Sequence, residues 1–426
     1  MDINYIYNRF LECDSISIDS RDIINNSLFF SLKGENFNGN KYAEEALSKG
    51  CKYAVVDEEE YAVDERYILV DDTLLALQKL GKMHRLQMEA TVIGITGTNG
   101  KTTTKELVNR VLSEKYVVLA TPKNYNNHIG VPLTLLQLNK KHEFAIIEMG
   151  ANHLHEIKTL CQIAAPDYGL ITNIGKAHLE GFGSYEKVIQ AKSELYDYIC
   201  GNNGTIFFNK DNQLLEKLVQ QKGCSSFSYG ISVSADCRGE IISSVPFLVI
   251  RKDDELIKSN MTGKYNFENI LAGICIGYFF QVPSKDIFKA IQNYVPENNR
   301  SQILKTDKNE IFLDAYNANP TSMHLALENF FEIKRDKKVI ILGDMFELGK
   351  YSEQEHMDVI KIIHEFGFEN VYLVGKEFLN TKAKKYLTFQ HTQDLIDYIK
   401  EHPITDSSIL IKGSRGMALE KLTEYL

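Results

Sequence analysis

The 426-residue chain has no apolar run approaching the ~18 residues that a bilayer-spanning helix needs, so no membrane span is expected. Basic residues are not in excess: 48 Lys and Arg stand against 57 Asp and Glu, a formal net charge of −9. A protein that reads a phosphate backbone usually shows the opposite balance, and nucleic acid is not an expected partner. The start, Met1-Asp-Ile-Asn-Tyr, lacks a basic stretch followed by an apolar one, and no signal peptide is expected. The 7 cysteines, at 13, 51, 161, 200, 224, 237 and 275, include no C-x-x-C pair. That scatter argues against structural zinc or a disulfide framework and predicts reduced thiols in a cytoplasmic protein. Internal repeats and low-complexity tracts are missing too. What is present is ordinary globular material, 44% hydrophobic and 25% charged, with length for about three domains at ~150 residues each.

Short β-rich runs alternate with helical patterns, which predicts an α/β protein with mainly parallel sheets. In a first domain, residues 1–88, Ser27–Leu32, Tyr53–Asp57 and Tyr67–Asp71 read as strands and Thr73–Met88 as an amphipathic helix. A central domain, 89–298, carries strands at Thr91–Thr96, Val117–Ala120, Phe144–Glu148, Tyr168–Thr172 and Gly204–Phe208. Runs on either side of Lys252–Glu255 then predict an antiparallel hairpin with a charged turn, followed by a helix around Asn269–Phe280. The third domain, 299–426, has strand–turn–helix units starting at Ile311, Lys338, Asn370 and Ser408, the pattern of a small Rossmann-like fold.

The strongest local signal is Gly94-Ile-Thr-Gly97-Thr98-Asn99-Gly100-Lys101-Thr102-Thr103-Thr104, between an apolar β run and a helical stretch. Glycines let backbone N–H groups converge on phosphate oxygens, and the helix start adds partial positive charge. Lys101 is placed for β- and γ-phosphates, and the Thr102 hydroxyl for Mg²⁺. The common P-loop pattern would put glycine at 95, where this chain has Ile95. Gly97 to Thr103 are thus candidate ATP contacts of a P-loop variant.

The string G-T-N-G-K-T-T resembles the ATP-binding signature of the Mur ligase family, and the resemblance runs in order over nearly the whole chain. Its carriers include Asp19-Ser20-Arg21, Leu32 to Gly39, Asn124-Tyr-Asn126-Asn127, Glu148-Met-Gly-Ala and Ala177-His178-Leu-Glu-Gly. In the last domain they are Asp314-Ala-Tyr316-Asn317-Ala-Asn319-Pro320, Gly343-Asp344-Met-Phe-Glu347-Leu-Gly349 and Lys412-Gly-Ser414-Arg415. These last strings resemble the branch that joins D-alanyl-D-alanine to UDP-N-acetylmuramoyl-tripeptide, so those two molecules are the implied partners. The resemblance implies a UDP-substrate domain, an ATPase domain and a closing C-terminal domain. It also implies a role in peptidoglycan synthesis, and through it in cell-wall biogenesis, cell shape and cell division. A monomer is expected.

The implied reaction turns a carboxylate into an acyl phosphate at the expense of ATP, and a free amine then captures it; held cations must stabilise the phosphoryl charge. By resemblance, Lys101, Glu148, His178, Lys192 and Arg300 are the catalytic set. Thr102, Glu148, His178 and Lys192 (as a carbamate) are the implied Mg²⁺ ligands. Glu148 could alternatively be a solvated strand-end acid, and Lys192 an exposed helix lysine. Asn266 and Asn269 resemble adenine-side residues and, at i and i+3, share a helix face; helix capping by Asn266 is the alternative. Asp314, Tyr316 and Asn317 are implied on the ribose side. For the UDP substrate the candidates are Ser20, Arg21, Asn36 and Gly39, with Asn126 and Asn127 at its peptide end. Lys412, Ser414 and Arg415 are candidates for the carboxylate of the dipeptide, Arg415 through bidentate geometry. The chain departs from the family at Asn38 and Asn40, and at Asn299, where glycine is usual. The alternatives are a sister ligase adding the third stem residue, a folylpolyglutamate synthase-like enzyme, or a P-loop nucleotide switch.

Overall fold

Strand Thr91–Thr96 shows how the layers form, because its side chains alternate between two cores. Ile93 and Ile95 join Leu107, Ile146, Phe207 and Ile270 on one face of a sheet. Val92 joins Ala145, Ile147, Leu160 and Leu195 on the other. A parallel sheet covered on both faces needs such near-continuous apolar strands. The computed structural model describes residues 2–297, 299–381, 383 and 385–426. The expected domain boundary after 298 falls on Asn298, outside the described residues.

The central sheet has 7 strands, all parallel, in the order Cys237–Arg238, Ser226–Gly230, Thr205–Asn209, Tyr168–Ile171, Thr91–Thr96, Phe144–Glu148, Val118–Ala120. Chain order reverses around Thr91–Thr96, and that switch point is where an open α/β sheet opens a ligand crevice at its strand C-termini. Helices Lys101–Ser113 and Asn266–Phe279 pack together on one face. The expected hairpin is present as Val249–Lys252 and Glu255–Lys258, turning at Asp253 with φ 55°, with Glu240–Ser243 added as a third antiparallel strand.

A smaller sheet of 4 parallel strands, Ser15–Ser17, Ser27–Phe30, Tyr53–Val56 and Tyr67–Leu69, precedes it. Arg85, on helix Thr73–Gln87, ties this first unit to the central one. Its guanidinium donates to the carbonyls of Ala164 and Ala165 at 3.2 and 3.3 Å and pairs with Asp167 at 3.0 Å.

The last sheet runs Gln302–Lys305, Asn309–Asp314, Ser407–Lys412, Lys338–Gly343, Asn370–Val374, Leu387–Phe389; its first pair is antiparallel and the rest parallel. The four central strands are those expected at Ile311, Lys338, Asn370 and Ser408, and the two edge strands are additional. Edge strands are short and half-exposed, so their apolar signal is weak.

The expectation that all thiols are free is corrected at one place. Cys200, at the end of helix Tyr185–Gly201, and Cys224, beside strand Ser226–Gly230, form a disulfide. Nothing in their 24-residue separation announces it; the packing of that helix on the sheet brings them together. Among the described residues no helix is long and apolar enough to cross a membrane.

Candidate active site

A cleft of about 1270 Å³ lies over the C-terminal ends of the central strands and is walled on its far side by the last domain. The strand continues through Ile95, fully buried and in register with Glu148, and the turn starts only at Gly97. This is why glycine is not needed at 95. Gly97 adopts φ 146°, and a Cβ there would fall 2.0 Å from Thr172 Oγ1. Gly100 caps helix Lys101–Ser113 at φ 79°, and a Cβ there would fall 2.4 Å from Asn269 Oδ1. Gly100→Ala is therefore expected to weaken ADP binding roughly 10-fold or more, as measured by titration calorimetry.

The loop is pinned from the neighbouring strand end. Asn99 N donates to Asn173 Oδ1 at 3.0 Å, and Thr172 Oγ1 donates to the Asn99 carbonyl at 2.6 Å. From the last domain, Asn319 Nδ2 donates to Asn99 Oδ1 at 2.7 Å, while Asn99 Nδ2 stays buried without a partner. Lys101 folds back onto its own loop and donates to the carbonyls of Gly97 (2.8 Å) and Thr98 (3.0 Å). Burial lowers its pKa; Glu148 opposes that shift and Arg300 adds to it.

Glu148 is not a solvated strand-end acid: it is 1% exposed. Asn126 Nδ2 donates to its Oε1 at 2.8 Å, and its Oε2 is buried with no partner. A carboxylate oxygen left bare in a polar cleft is a costly arrangement unless a cation meets it. Lys192 is buried as well, at 2% exposure, and is not among the residues that line the cleft. Burial, then the charge of Lys101, pushes its pKa down to about 7. His178 adopts φ 50° and lines the cleft, and its Nδ1 stands 2.5 Å from Glu347 Oε2 across the domain junction. That contact holds the Glu347 carboxyl below its ordinary range. Among the described residues no three His, Cys, Asp or Glu side chains converge as a metal cage. The expected ligand set, built on Thr102, Glu148, His178 and a modified Lys192, does not require one.

Asn266 and Asn269 share a helix face as their spacing predicts. Asn269 Nδ2 donates to Asn266 Oδ1 at 2.9 Å, and Asn269 Oδ1 accepts from Thr104 at 3.1 Å. The capping alternative for Asn266 is not realised, since its side-chain amide donates back to the Thr262 carbonyl at 2.7 Å. Arg300 is flanked by Asn299 (φ 57°) and Ser301 (φ 48°). Asparagine tolerates the left-handed conformation, so it can stand where the family carries glycine. The Arg300 guanidinium lies 3.7 Å from the centre of the Tyr316 ring, with Nε buried and unpartnered.

The structure gathers Thr98 to Thr103, Asn126, Asn127, Glu148, His178, Asn266, Asn269, Arg300, Asp314, Tyr316, Asn317, Lys412, Ser414 and Arg415 around one cleft. Ser20, Arg21, Asn36 and Gly39 are not among its lining residues. Arg21 is paired with Asp19 at 2.7 Å on an exposed loop. Gly39 sits so tightly that a Cβ would fall 2.3 Å from the Leu32 carbonyl oxygen. Asn38 and Asn40 bond to each other and to Glu58 and Asp57. Further expected contacts are engaged within the protein, Asp314 with Lys412 among them. Lys412 is buried and paired with Asp314 Oδ2 at 2.5 Å, its register partner on the adjacent strand. Ser414 Oγ accepts from Phe346 N at 2.9 Å. Asn127 Oδ1 accepts from Ile129 N (3.1 Å) and Gly130 N (2.8 Å) at the start of a helix. Asn173, Asn319 and Glu347 line the same cleft without being among the candidates; the last two lie inside the family-like strings, and nothing in the sequence marks Asn173.

Comparisons with known proteins agree along the chain. Residues 95–277 match the Mur ligase middle domain, 299–415 the Mur ligase glutamate ligase domain, and 12–85 the Mur ligase family catalytic domain. The UDP-N-acetylmuramoyl-tripeptide–D-alanyl-D-alanine ligase of Bacillus subtilis is 34% identical, over 96% of this chain and 92% of its own. The Escherichia coli enzyme of that name is 31% identical, over 97% and 93%. A crystal structure of MurF from Acinetobacter baumannii matches with a TM-score of 0.87 at 29% identity, covering 99% of this chain and 97% of that one. MurF ligase from Thermotoga maritima, solved in complex with ADP, matches with a TM-score of 0.85 at 25% identity, covering 98% and 97%.

Proposed function

The chain belongs to the Mur ligase family, and from that premise we propose a specific reaction: ATP-dependent addition of D-alanyl-D-alanine to UDP-N-acetylmuramoyl-tripeptide in peptidoglycan precursor synthesis. The protein is a ligase that uses ATP. ATP and a nucleotide-linked precursor are cytoplasmic metabolites, and the reaction is assigned to that compartment. One observation carries the proposal. A single cleft joins a P-loop, a buried carboxylate with a bare oxygen, and guanidinium groups from the last domain.

In this mechanism residues 1–88 hold the UDP portion through Ser20, Arg21, Asn36 and Gly39, 89–298 hold the phosphates, and 299–426 close over them. The amides of Gly97–Thr103 and the start of helix Lys101–Ser113 receive the phosphates. Lys101 leaves the Gly97 and Thr98 carbonyls for the β- and γ-phosphates, and Arg300 faces the γ-phosphate. Asn266 and Asn269 take the adenine side, and Asp314, Tyr316 and Asn317 the ribose side. The terminal carboxylate oxygen of the tripeptide attacks the γ-phosphorus, and ADP leaves. The dipeptide amine then attacks the acyl carbon, loses a proton and expels phosphate. Arg415 holds the dipeptide carboxylate.

The bare Glu148 oxygen and the buried Thr102 hydroxyl fit a divalent cation and would hold one Mg²⁺; the family pattern adds His178 and a carbamylated Lys192 as the residues that would hold a second. Bound magnesium neutralises phosphoryl charge. Asn126 fixes the Glu148 carboxylate by its 2.8 Å hydrogen bond.

Hydroxylamine trapping tests this function. With ATP and UDP-N-acetylmuramoyl-tripeptide, but without dipeptide, a hydroxamate should accumulate, and D-alanyl-D-alanine should divert it into amide. Incorporation of a free diamino acid instead of the dipeptide would make the protein a sister ligase. ATP turnover indifferent to both substrates would make it a nucleotide switch.

A further inference from the structure

Phe346 is a half-exposed aromatic ring on a loop whose backbone is tied down on every side. Both Asp344 carboxylate oxygens accept from amides, Glu377 N at 2.9 Å and Phe378 N at 3.0 Å. The Asp344 carbonyl accepts from Ser414 N at 3.1 Å. Met345 N donates to His356 Nε2 at 3.0 Å, and Phe346 N to Ser414 Oγ at 2.9 Å. The Met345 side chain enters the domain core at 1% exposure, which turns the next side chain, Phe346, outward into the cleft at 45%.

The ring is seated as well as aimed. A Cβ built on Gly416 would come within 2.7 Å of Phe346 Cε2, so any side chain there would displace the ring from this seat. Arg415, the residue between Ser414 and Gly416, has the Tyr316 ring 5.3 Å from its guanidinium carbon and the Tyr316 hydroxyl 3.5 Å from Nη1. Among the described residues its charge has no acid partner. Leu325, from helix Pro320–Glu332, lines the same cleft. One wall therefore presents a free guanidinium beside a fixed apolar surface. An incoming D-alanyl-D-alanine carries one carboxylate and two methyl groups on adjacent residues.

We propose that Phe346, seated over Gly416 beside Arg415, is a specificity-determining wall of the amine-substrate subsite, contacting a methyl side chain of the dipeptide whose carboxylate Arg415 holds. This rests on the ligase function above. Arg415 by itself reads only the carboxylate, which every dipeptide has. The ring supplies what distinguishes an alanyl residue from a glycyl one, and a methyl against an apolar wall is worth roughly 10-fold or more in discrimination.

The experiment is steady-state kinetics on the full chain, with Phe346→Ala, Phe346→Leu and Gly416→Ala. In Phe346→Ala the KM for D-alanyl-D-alanine should rise roughly 10-fold, and preference over glycylglycine should fall by a similar factor. The KM values for ATP and the UDP-tripeptide, and hydroxamate trapping without dipeptide, should stay at wild-type levels. Phe346→Leu should keep part of the preference, and Gly416→Ala, by displacing the ring, should lose part of it. Unchanged dipeptide KM and preference in both Phe346→Ala and Gly416→Ala would overturn the proposal, as would an equal rise in all three KM values. A wild-type enzyme that traps no hydroxamate would overturn the ligase function itself, separately from the subsite.

Discussion

Lys101→Ala is expected to slow phosphoryl transfer by roughly 10³-fold or more while UDP-tripeptide affinity stays near wild type. In the proposed mechanism the lysine is the cation that the P-loop carries to the site of developing phosphoryl charge. Its ammonium rests on two carbonyls of its own loop, Gly97 at 2.8 Å and Thr98 at 3.0 Å. Removing it frees those carbonyls to the water of an open cleft, so the fold loses little. The candidate UDP contacts Ser20, Arg21, Asn36 and Gly39 stand outside that cleft, on the first domain. Phosphate release and calorimetric titration of the UDP substrate check the two halves separately. Lost UDP-substrate affinity would contradict the division of labour between domains.

Lys192→Ala should cost about 10²-fold or more in turnover, and formate or acetate should restore part of it. The side chain is buried where an ammonium is poorly solvated, and its pKa falls to about 7, first by burial and then by the neighbouring charge of Lys101. The sign matters. A depressed lysine pKa means that the neutral amine prevails above pH 7, and the neutral amine is the form that adds carbon dioxide. Uptake of ¹³C-labelled bicarbonate at this lysine should therefore grow between pH 6 and 8, read by carbonyl resonance. Lys101→Ala removes a charge that helps to hold Lys192 down, so that variant should shift the uptake to higher pH. Failure of every short carboxylate to rescue Lys192→Ala would remove the carbamate from the mechanism.

Much of the site was legible because its residues are neighbours in sequence. Gly97 to Thr103 form one strand–loop–helix turn, and Asn266 and Asn269 share a helix face by spacing alone. Glu148 ends an apolar strand adjacent to the P-loop strand, so its place at the sheet edge followed from the pattern. Its burial did not follow, and burial is what changes a solvated acid into a bare oxygen in a polar cleft. Lys412 shows what spacing leaves out. Its string suggested a hand on the dipeptide carboxylate, yet strand register sets it opposite Asp314, 98 residues earlier, and the two charges pair. The Asn127 side-chain oxygen, in another substrate-like string, accepts from the amides of Ile129 and Gly130 just ahead of a helix.

The order of residues alone determined the α/β class, the phosphate-binding turn and the identity of the side chains that line it, because each depends on periodicity or spacing within one or two turns of chain. Tertiary structure alone decided which of those side chains are free to act. Asn99 meets Asn319 across 220 residues, Glu347 leans on His178 from another domain, and Cys200 finds Cys224 only through helix packing. Such meetings are fixed by sheet register and by the docking of one core on another, which no local pattern encodes. They settle whether a polar group is already satisfied or left open for a ligand.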